Sequence, residues 1–166
     1  MITIISGTNR QGSQTRRVTE IYRNIFKSLN TEVNVVDLAS VDVTTKSDAF
    51  LALQEEILVP TTKYVIIAPE YNGSFPGILK LMIDNSDIKR TMWHKKAMLV
   101  GVAEGRAGNL RGMDHLTNIL NYLKIQVLPN KIPLSRISTE LTADGAFVNE
   151  GTHQTSVQQV QEFIAF

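Results

Sequence analysis

The stretch Thr3-Ile4-Ile5-Ser6-Gly7-Thr8-Asn9-Arg10-Gln11-Gly12-Ser13-Gln14-Thr15-Arg16 begins with β-branched residues and continues into a loop rich in Gly, Ser and Thr. Helical spacing of apolar residues follows, so this stretch predicts a strand that leads directly into a helix. Ser13 is a favourable N-cap residue, and a helix that begins beside it presents unpaired N–H groups and the positive end of its dipole. The junction is therefore a candidate phosphate site.

The same loop composition also suits a tight strand-to-helix turn that binds nothing, and two known nucleotide-binding loops do not match it. A P-loop needs Lys after its last glycine, where this chain has Ser13, and the G-x-G-x-x-G pattern fails at Asn9. The loop does fit a monophosphate bound by hydroxyls, backbone N–H groups and Arg10. Hydrogen bonds to a charged group contribute about 1.5–3 kcal/mol each, so several donors can hold a phosphate without a lysine.

The composition is that of an ordinary globular protein and argues against several functional classes. Hydrophobic residues make up 43% and charged residues 20% of the 166 residues, and the formal net charge is +1. That charge provides no strong field for nucleic acid or anionic lipid. The absence of cysteine excludes disulfides, thiolate nucleophiles and iron–sulfur clusters. Because the first residues show no secretory pattern, we expect a cytoplasmic protein with no membrane or nucleic-acid partner, folded as a single domain over residues 1–166.

Short apolar runs alternate with helical spacings along the rest of the chain and predict a doubly wound α/β fold. The predicted strands are residues 1–5, 32–38, 63–69, 96–102 and 125–128, and the predicted helices are residues 13–30, 47–58, 76–83, 110–124 and 155–166. This alternation favours a five-stranded parallel sheet with helices on both faces. In a sheet of order 2-1-3-4-5, ligands bind outside the carboxyl ends of strands one and three. The loops there, and the loop after strand four, are rich in Gly, Ser, Asn and Arg.

Two loop sequences together resemble the NADPH-dependent FMN reductase family, which includes quinone, azo-dye and chromate reductases of flavodoxin-like fold. The first is Gly7-Thr8-Asn9-Arg10-Gln11-Gly12-Ser13, and the second, more specific one is Pro69-Glu70-Tyr71-Asn72-Gly73-Ser74-Phe75-Pro76-Gly77. The resemblance covers most of residues 2–125. It implies an FMN-dependent oxidoreductase that takes hydride from NADPH or NADH. The implied electron acceptor is a small molecule, namely a quinone, an azo compound, a metal oxyanion or free flavin.

The resemblance also implies which residues hold the cofactor. They are Thr8, Arg10, Ser13, Gln14 and Thr15 for the FMN phosphate, Pro69, Glu70, Tyr71, Asn72, Gly73 and Ser74 along the isoalloxazine ring, and Glu104, Gly105 and Arg106 after strand four. Family members usually have Asn where Thr15 stands. Arg106 either binds the NADPH phosphate or is a solvated loop cation. No catalytic side chain or metal is implied, because the flavin carries the hydride chemistry. A homodimer or homotetramer is implied as well.

Several polar residues outside these loops have simpler interpretations. Asp37 follows strand two, where an acidic residue either binds a dinucleotide ribose or caps the strand end. His94, His115 and His153 fall on different elements without metal-ligand spacing, so we interpret them as ordinary histidines. A flavodoxin-like electron carrier and a non-catalytic FMN-binding module are the alternatives to a reductase.

Overall fold

The computed structural model describes residues 1–166 and contains one parallel sheet with helices packed on both faces. Its strands are β1 (Ile2–Ser6), β2 (Val33–Asp37), β3 (Lys63–Pro69), β4 (Lys96–Val102), β5 (Gln126–Val127) and β6 (Ile132–Leu134). Its helices are α1 (Gln14–Ser28), α2 (Asp48–Leu53), α3 (Gly77–Asn85), α4 (Ile88–Thr91), α5 (Leu110–Tyr122), α6 (Ile137–Glu140) and α7 (Glu150–Ala165), and a π-helical turn (Gln54–Leu58) follows α2. None of these helices has the length and apolar character needed to cross a membrane.

The strand order is β2-β1-β3-β4-β5, and each neighbouring pair is parallel, which confirms the predicted order and the doubly wound, flavodoxin-like fold. The register aligns the carboxyl ends of the central strands. Ser6 at the end of β1 lies opposite Ile67 of β3, and Pro69 at the end of β3 lies opposite Val102 of β4. The loops that follow β1, β3 and β4 therefore emerge along one edge of the sheet.

The far edge of the sheet differs from the prediction of a single fifth strand over residues 125–128. β5 is shorter and pairs with the beginning of β4, whereas β6, which was not predicted, pairs with its end, so that Val100 lies opposite Ile132. Pro129 between them has no backbone N–H, so the ladder cannot continue through it. Pro133 is tolerated within β6 because this strand pairs on only one side.

The core is divided between the two faces of the sheet, because successive side chains of a strand point in opposite directions. Ile5 and Ile66 belong to a cluster that includes residues of α3 and α5. Ile4 and Val65 belong to a second cluster that includes residues of α1 and α7. Burial on both faces explains why the central strands are nearly continuous apolar runs.

The helix boundaries follow local capping more closely than apolar spacing. The Ser13 hydroxyl accepts the Arg16 N–H at 3.3 Å, which confirms the predicted N-cap of α1. The last helix begins at Glu150 rather than at the predicted residue 155, because the Asn149 side chain accepts the Gly151 N–H at 2.8 Å. The first turn of α7 is polar, so its apolar pattern starts late.

Candidate cofactor site

The loop after β1 leaves the sheet in close contact with β3. The Gly7 N–H donates to the Ile67 carbonyl at 2.8 Å, and a Cβ atom on Gly7 would lie 2.9 Å from that same oxygen. Only glycine fits this crossing without displacing the β3 backbone. The chain then turns at Gly12, whose φ of +65° is readily adopted by glycine, and enters α1.

The junction of this loop with α1 carries many free hydrogen-bond donors. The backbone N–H groups without an acceptor in the chain include those of Asn9, Gln11, Gly12, Ser13, Gln14 and Thr15. They combine with the positive end of a 15-residue helix and with the Ser13 hydroxyl, which accepts a bond from the helix and still has its own proton to donate. Donors arranged in this way at a helix N-terminus can bind a phosphate.

The Asp37 carboxylate at the end of β2 already bonds to other groups of the protein. It accepts the Ala39 N–H at 3.1 Å and the Arg16 guanidinium at 2.8 Å. These contacts support the strand-end interpretation rather than a ribose ligand. Arg16 is thus already paired, whereas Arg10 is the cation of this loop without an ion-pair partner.

The segment after β3 forms a tight hairpin turn. Tyr71 and Ser74 exchange backbone hydrogen bonds of 2.8 and 3.1 Å, and Asn72 and Gly73 between them have φ angles of +52° and +78°. Two central residues with positive φ define a type I′ turn, for which Asn-Gly is the preferred sequence. The Ser74 N–H is thus used inside the turn, whereas the N–H groups of Asn72 and Gly73 have no acceptor in the chain.

The structure brings the two predicted loops into direct contact through Tyr71. The Tyr71 hydroxyl lies 2.7 Å from Oγ1 of the buried Thr8, which also accepts the Arg10 N–H at 3.2 Å. The Arg10 guanidinium lies over the Tyr71 ring, 4.8 Å from its centroid. The loop after β1 and the turn after β3 therefore meet at Tyr71.

The loop after β4 reaches the same edge but is bonded mainly to the segment around α6. The Glu104 carboxylate accepts the Ser138 hydroxyl at 2.7 Å and its N–H at 3.3 Å, and the Gly105 carbonyl accepts the Arg136 N–H at 3.2 Å. Arg106 is exposed, and the structure shows no hydrogen bond or ion pair of its side chain. Of the three residues predicted in this loop, Arg106 has the side chain that is free to meet a ligand.

The beginning of α5 packs against the hairpin turn, which the sequence analysis did not anticipate. The His115 Nδ1 atom lies 2.9 Å from the Ser74 hydroxyl, and the Arg111 side chain lies against Gly73. A Cβ atom on Gly112 would lie 2.8 Å from the Phe75 nitrogen. The helical pattern indicated only the apolar face of α5. The spacing of Arg111 and His115 by one helical turn was the available signal for this contact.

The family model described as NADPH-dependent FMN reductase matches residues 1–139. The chain belongs to this family. The resemblance inferred from the two loops is confirmed, and FMN and NAD(P)H are the cofactors of the family to which the chain belongs.

Two curated proteins are similar to part of the chain. A 2-hydroxy-1,4-benzoquinone reductase from Burkholderia sp. is 30% identical over 95 residues, which are 54% of this chain and 51% of that protein. An NAD(P)H-dependent FMN reductase from Pseudomonas aeruginosa is 29% identical over 96 residues, which are 56% of this chain and 52% of that protein. The chain thus spans about half the length of the curated relatives that it matches.

The fold is also that of solved flavoenzyme structures. FerB, a flavoenzyme NAD(P)H:(acceptor) oxidoreductase from Paracoccus denitrificans, superposes with a TM-score of 0.81 at 19% identity. The superposition covers 99% of this chain and 94% of that chain. This similarity extends beyond the matched family region and includes α7, so the whole chain shares the fold.

Proposed function

We propose that this chain is an FMN-dependent NAD(P)H oxidoreductase that passes electrons to a quinone or another small-molecule acceptor, and that it acts as a single domain. The observation that carries the proposal is the contact between the loop after β1 and the hairpin turn after β3, made by Tyr71 with Thr8 and Arg10. It joins a donor set suited to phosphate with a turn that has two free N–H groups. Membership of the FMN reductase family supports the same conclusion.

The FMN phosphate would be held by the backbone donors at the start of α1, by the Ser13 hydroxyl and by the Arg10 guanidinium. Charged hydrogen bonds of this kind contribute about 1.5–3 kcal/mol each. Thr8 remains a proposed phosphate contact, and its 2.7 Å contact with the Tyr71 hydroxyl also holds the two loops together. Thr15 is buried in the first turn of α1 and would contribute mainly through its free N–H group.

The isoalloxazine ring would lie along the hairpin turn, where the free N–H groups of Asn72 and Gly73 can donate to its edge. When bound, FMN supplies two-electron hydride chemistry, so the chain needs no nucleophile of its own. Fixed backbone donors stabilise negative charge that develops nearby, because they are oriented before the reaction begins. The contribution of this chain is therefore to bind the ring, orient it and stabilise its charge. Pro69 and Glu70 lead into the turn, and Ser74 closes it.

Arg106 is the proposed contact for the phosphate of NADPH, because it is an exposed guanidinium without a partner, beside Glu104 and Gly105. Arginine suits phosphate through paired donors. A quinone is the first acceptor to test, since a related protein is described as a 2-hydroxy-1,4-benzoquinone reductase. Azo compounds, metal oxyanions and free flavin are further acceptors of the same proposal.

We also propose a cytoplasmic homodimer or homotetramer. A largely apolar groove of about 470 Å³ lies between α3 and α5, and Ile83, Ile88, Ile119 and Leu123 contribute to its lining. Tyr122 at its border is 83% exposed and extends this apolar surface, and a contiguous exposed apolar patch is a candidate subunit interface. Light scattering of the purified protein would distinguish a monomer, a dimer and a tetramer.

Purification tests the proposed function directly. The protein should retain or take up FMN with the yellow colour of oxidised flavin, and NADPH or NADH should bleach it under anaerobic conditions. Colour should return on addition of a quinone. Bleaching by a partner reductase alone would indicate an electron carrier, stable binding without bleaching would indicate a binding module, and a failure to bind FMN would contradict all three.

Replacing Arg10 tests the phosphate end of the site. Arg10→Ala should weaken FMN binding by roughly tenfold to a hundredfold, which corresponds to the loss of one charged hydrogen bond. Arg23→Ala is the matched control, because it also removes an exposed arginine, one that pairs with Glu20 on the solvated side of α1. Both variants should keep the far-ultraviolet circular dichroism of the parent. Equal FMN affinity of Arg10→Ala and the parent would rule out the phosphate contact.

A further inference from the structure

Helix α5 holds the hairpin turn through two side chains that lie one helical turn apart. Nη1 of Arg111 lies 2.9 Å from the position that a Gly73 Cβ atom would take, so the guanidinium fills the space left by the missing side chain. Nδ1 of His115 lies 2.9 Å from Oγ of Ser74. Residues spaced by four face the same side of a helix. The helix therefore contacts two successive residues of the turn from one side.

The position of these side chains is set by close backbone packing. A Cβ atom on Gly112 would come within 2.8 Å of the Phe75 nitrogen, so α5 approaches the turn as closely as a glycine allows. Asn109, directly before the helix, donates its Nδ2 group to the Ala68 carbonyl at the end of β3 at 2.9 Å. The start of α5 is thus attached to the strand that carries the turn.

The charge of Arg111 has no partner within the protein. The ion pairs of the chain involve Arg16, Arg23, Lys80 and Arg90, and no carboxylate, including Asp114 on the same helix, lies within 4.0 Å of the Arg111 guanidinium. An exposed arginine without a carboxylate partner is available to interact with a ligand. It lies against Gly73, one of the two residues whose N–H groups are free.

We infer that Arg111 and His115 both serve the flavin site: Arg111 favours negative charge on the bound ring, and His115 is a positioning residue that orients the turn through Ser74. This inference rests on the proposed function, because it requires FMN at the turn. Arg10 lies over Tyr71 on the side of the first loop, and Arg106 lies in the exposed loop after β4. Arg111 is therefore the arginine that contacts the part of the turn with free donors.

The expected consequence is a difference between the two oxidation states of the cofactor. Reduction adds negative charge to the ring at neutral pH, and a nearby cation stabilises that charge in a partly screened environment. Removing the cation should weaken binding of reduced FMN more than binding of oxidised FMN. A side chain that only supported the fold would weaken both to the same extent, so the midpoint potential of the bound flavin separates the two roles.

The first measurement is the dissociation constant of oxidised FMN for the full chain, followed by the midpoint potential of the bound flavin. Arg111→Gln should change the affinity for oxidised FMN less than about threefold but lower the reduced-to-oxidised affinity ratio about tenfold. A tenfold change in that ratio corresponds to a fall of about 30 mV in the midpoint potential of a two-electron couple. Arg111→Lys should retain most of the potential. Arg23→Gln, which removes an equal charge far from the turn, should leave it unchanged.

His115 is tested through its bond to Ser74. His115→Ala should weaken FMN binding severalfold, whereas His115→Asn, whose amide can still reach the hydroxyl, should restore most of the affinity. Ser74→Ala combined with His115→Ala should be no worse than either single change, because both remove the same interaction. Additive effects of the two changes, or no rescue by asparagine, would overturn this role.

The outcomes also separate this inference from the proposed function. Suppose that the parent protein binds FMN. If the midpoint potential of the bound flavin is then the same in Arg111→Gln as in the parent, or falls by the same amount in Arg23→Gln, the charge role of Arg111 is wrong while the proposed function stands. If the parent protein does not bind FMN at all, the proposed function is wrong and the inference fails with it.

Discussion

Replacing Gly112 with alanine should destabilise the protein, although glycine-to-alanine changes within helices generally stabilise. Alanine is favoured over glycine by up to about 1 kcal/mol in a helix. At this position, however, the added Cβ would lie 2.1 Å from Oδ1 of Asn109 and 2.8 Å from the backbone nitrogen of Phe75. Both distances are shorter than any real contact of a methyl group, so part of the structure must move.

The cost of that movement follows from what surrounds the clash. Asn109 is fully buried, and its amide is bonded to the Ala68 carbonyl, so rotating it would break that bond. Its Oδ1 atom already has no hydrogen-bond partner. The alternative is to shift α5 away from the turn. Overpacking of this kind costs about 1–3 kcal/mol, and we place Gly112→Ala in the upper half of that range because the clash involves backbone. When the gain of up to about 1 kcal/mol from the helix propensity of alanine is subtracted, the free energy of unfolding falls by about 1–2 kcal/mol.

Urea denaturation of the protein without ligand measures this loss, with Gly77→Ala as the matched control. Gly77 is the first residue of α3, and nothing lies within 4 Å of the position of its Cβ. That variant should be as stable as the parent or slightly more stable. A loss of 1–2 kcal/mol corresponds to a melting temperature about 2–8 °C lower in a protein of this size. If Gly112→Ala proved as stable as Gly77→Ala, the close approach of α5 to the turn would be wrong.

The other two predictions concern, first, the contact between the two loops and, second, the partly buried Lys95. Tyr71→Phe should lower the free energy of unfolding by about 0.5–1.5 kcal/mol, because it removes the hydroxyl bonded to Thr8. Tyr71→Leu should lower it by about 0.5–1 kcal/mol more, because the contact with Arg10 is also lost. Equal urea midpoints for Tyr71→Phe and the parent would contradict this prediction. Burial lowers the pKa of Lys95 from 10.5 to about 8. The unfolded chain then binds more protons between these values, so the free energy of unfolding should rise with pH across that window. Lys95→Met should reduce this rise, and urea titrations in which the variant kept the full slope would refute it.

Much of the fold was predictable because its signals are local. Central strands covered on both faces need continuous apolar runs, and residues 63–69 and 96–102 coincide with β3 and β4. β6 was missed for the opposite reason. It has three residues with a proline in the middle, and its only strand partner is the end of β4, so nothing in its own sequence distinguishes it from a loop.

The sequence by itself determined the features that depend on neighbouring residues: the strand-to-helix junction capped by Ser13, and the Asn72-Gly73 pair that favours a type I′ turn. Only the tertiary structure decided which side chains meet across the site. The bond of Thr8 to Tyr71 and the contacts of α5 with the turn join residues distant along the chain. Such contacts depend on sheet register and on how closely Gly112 lets a helix approach, and neither is encoded in a local pattern.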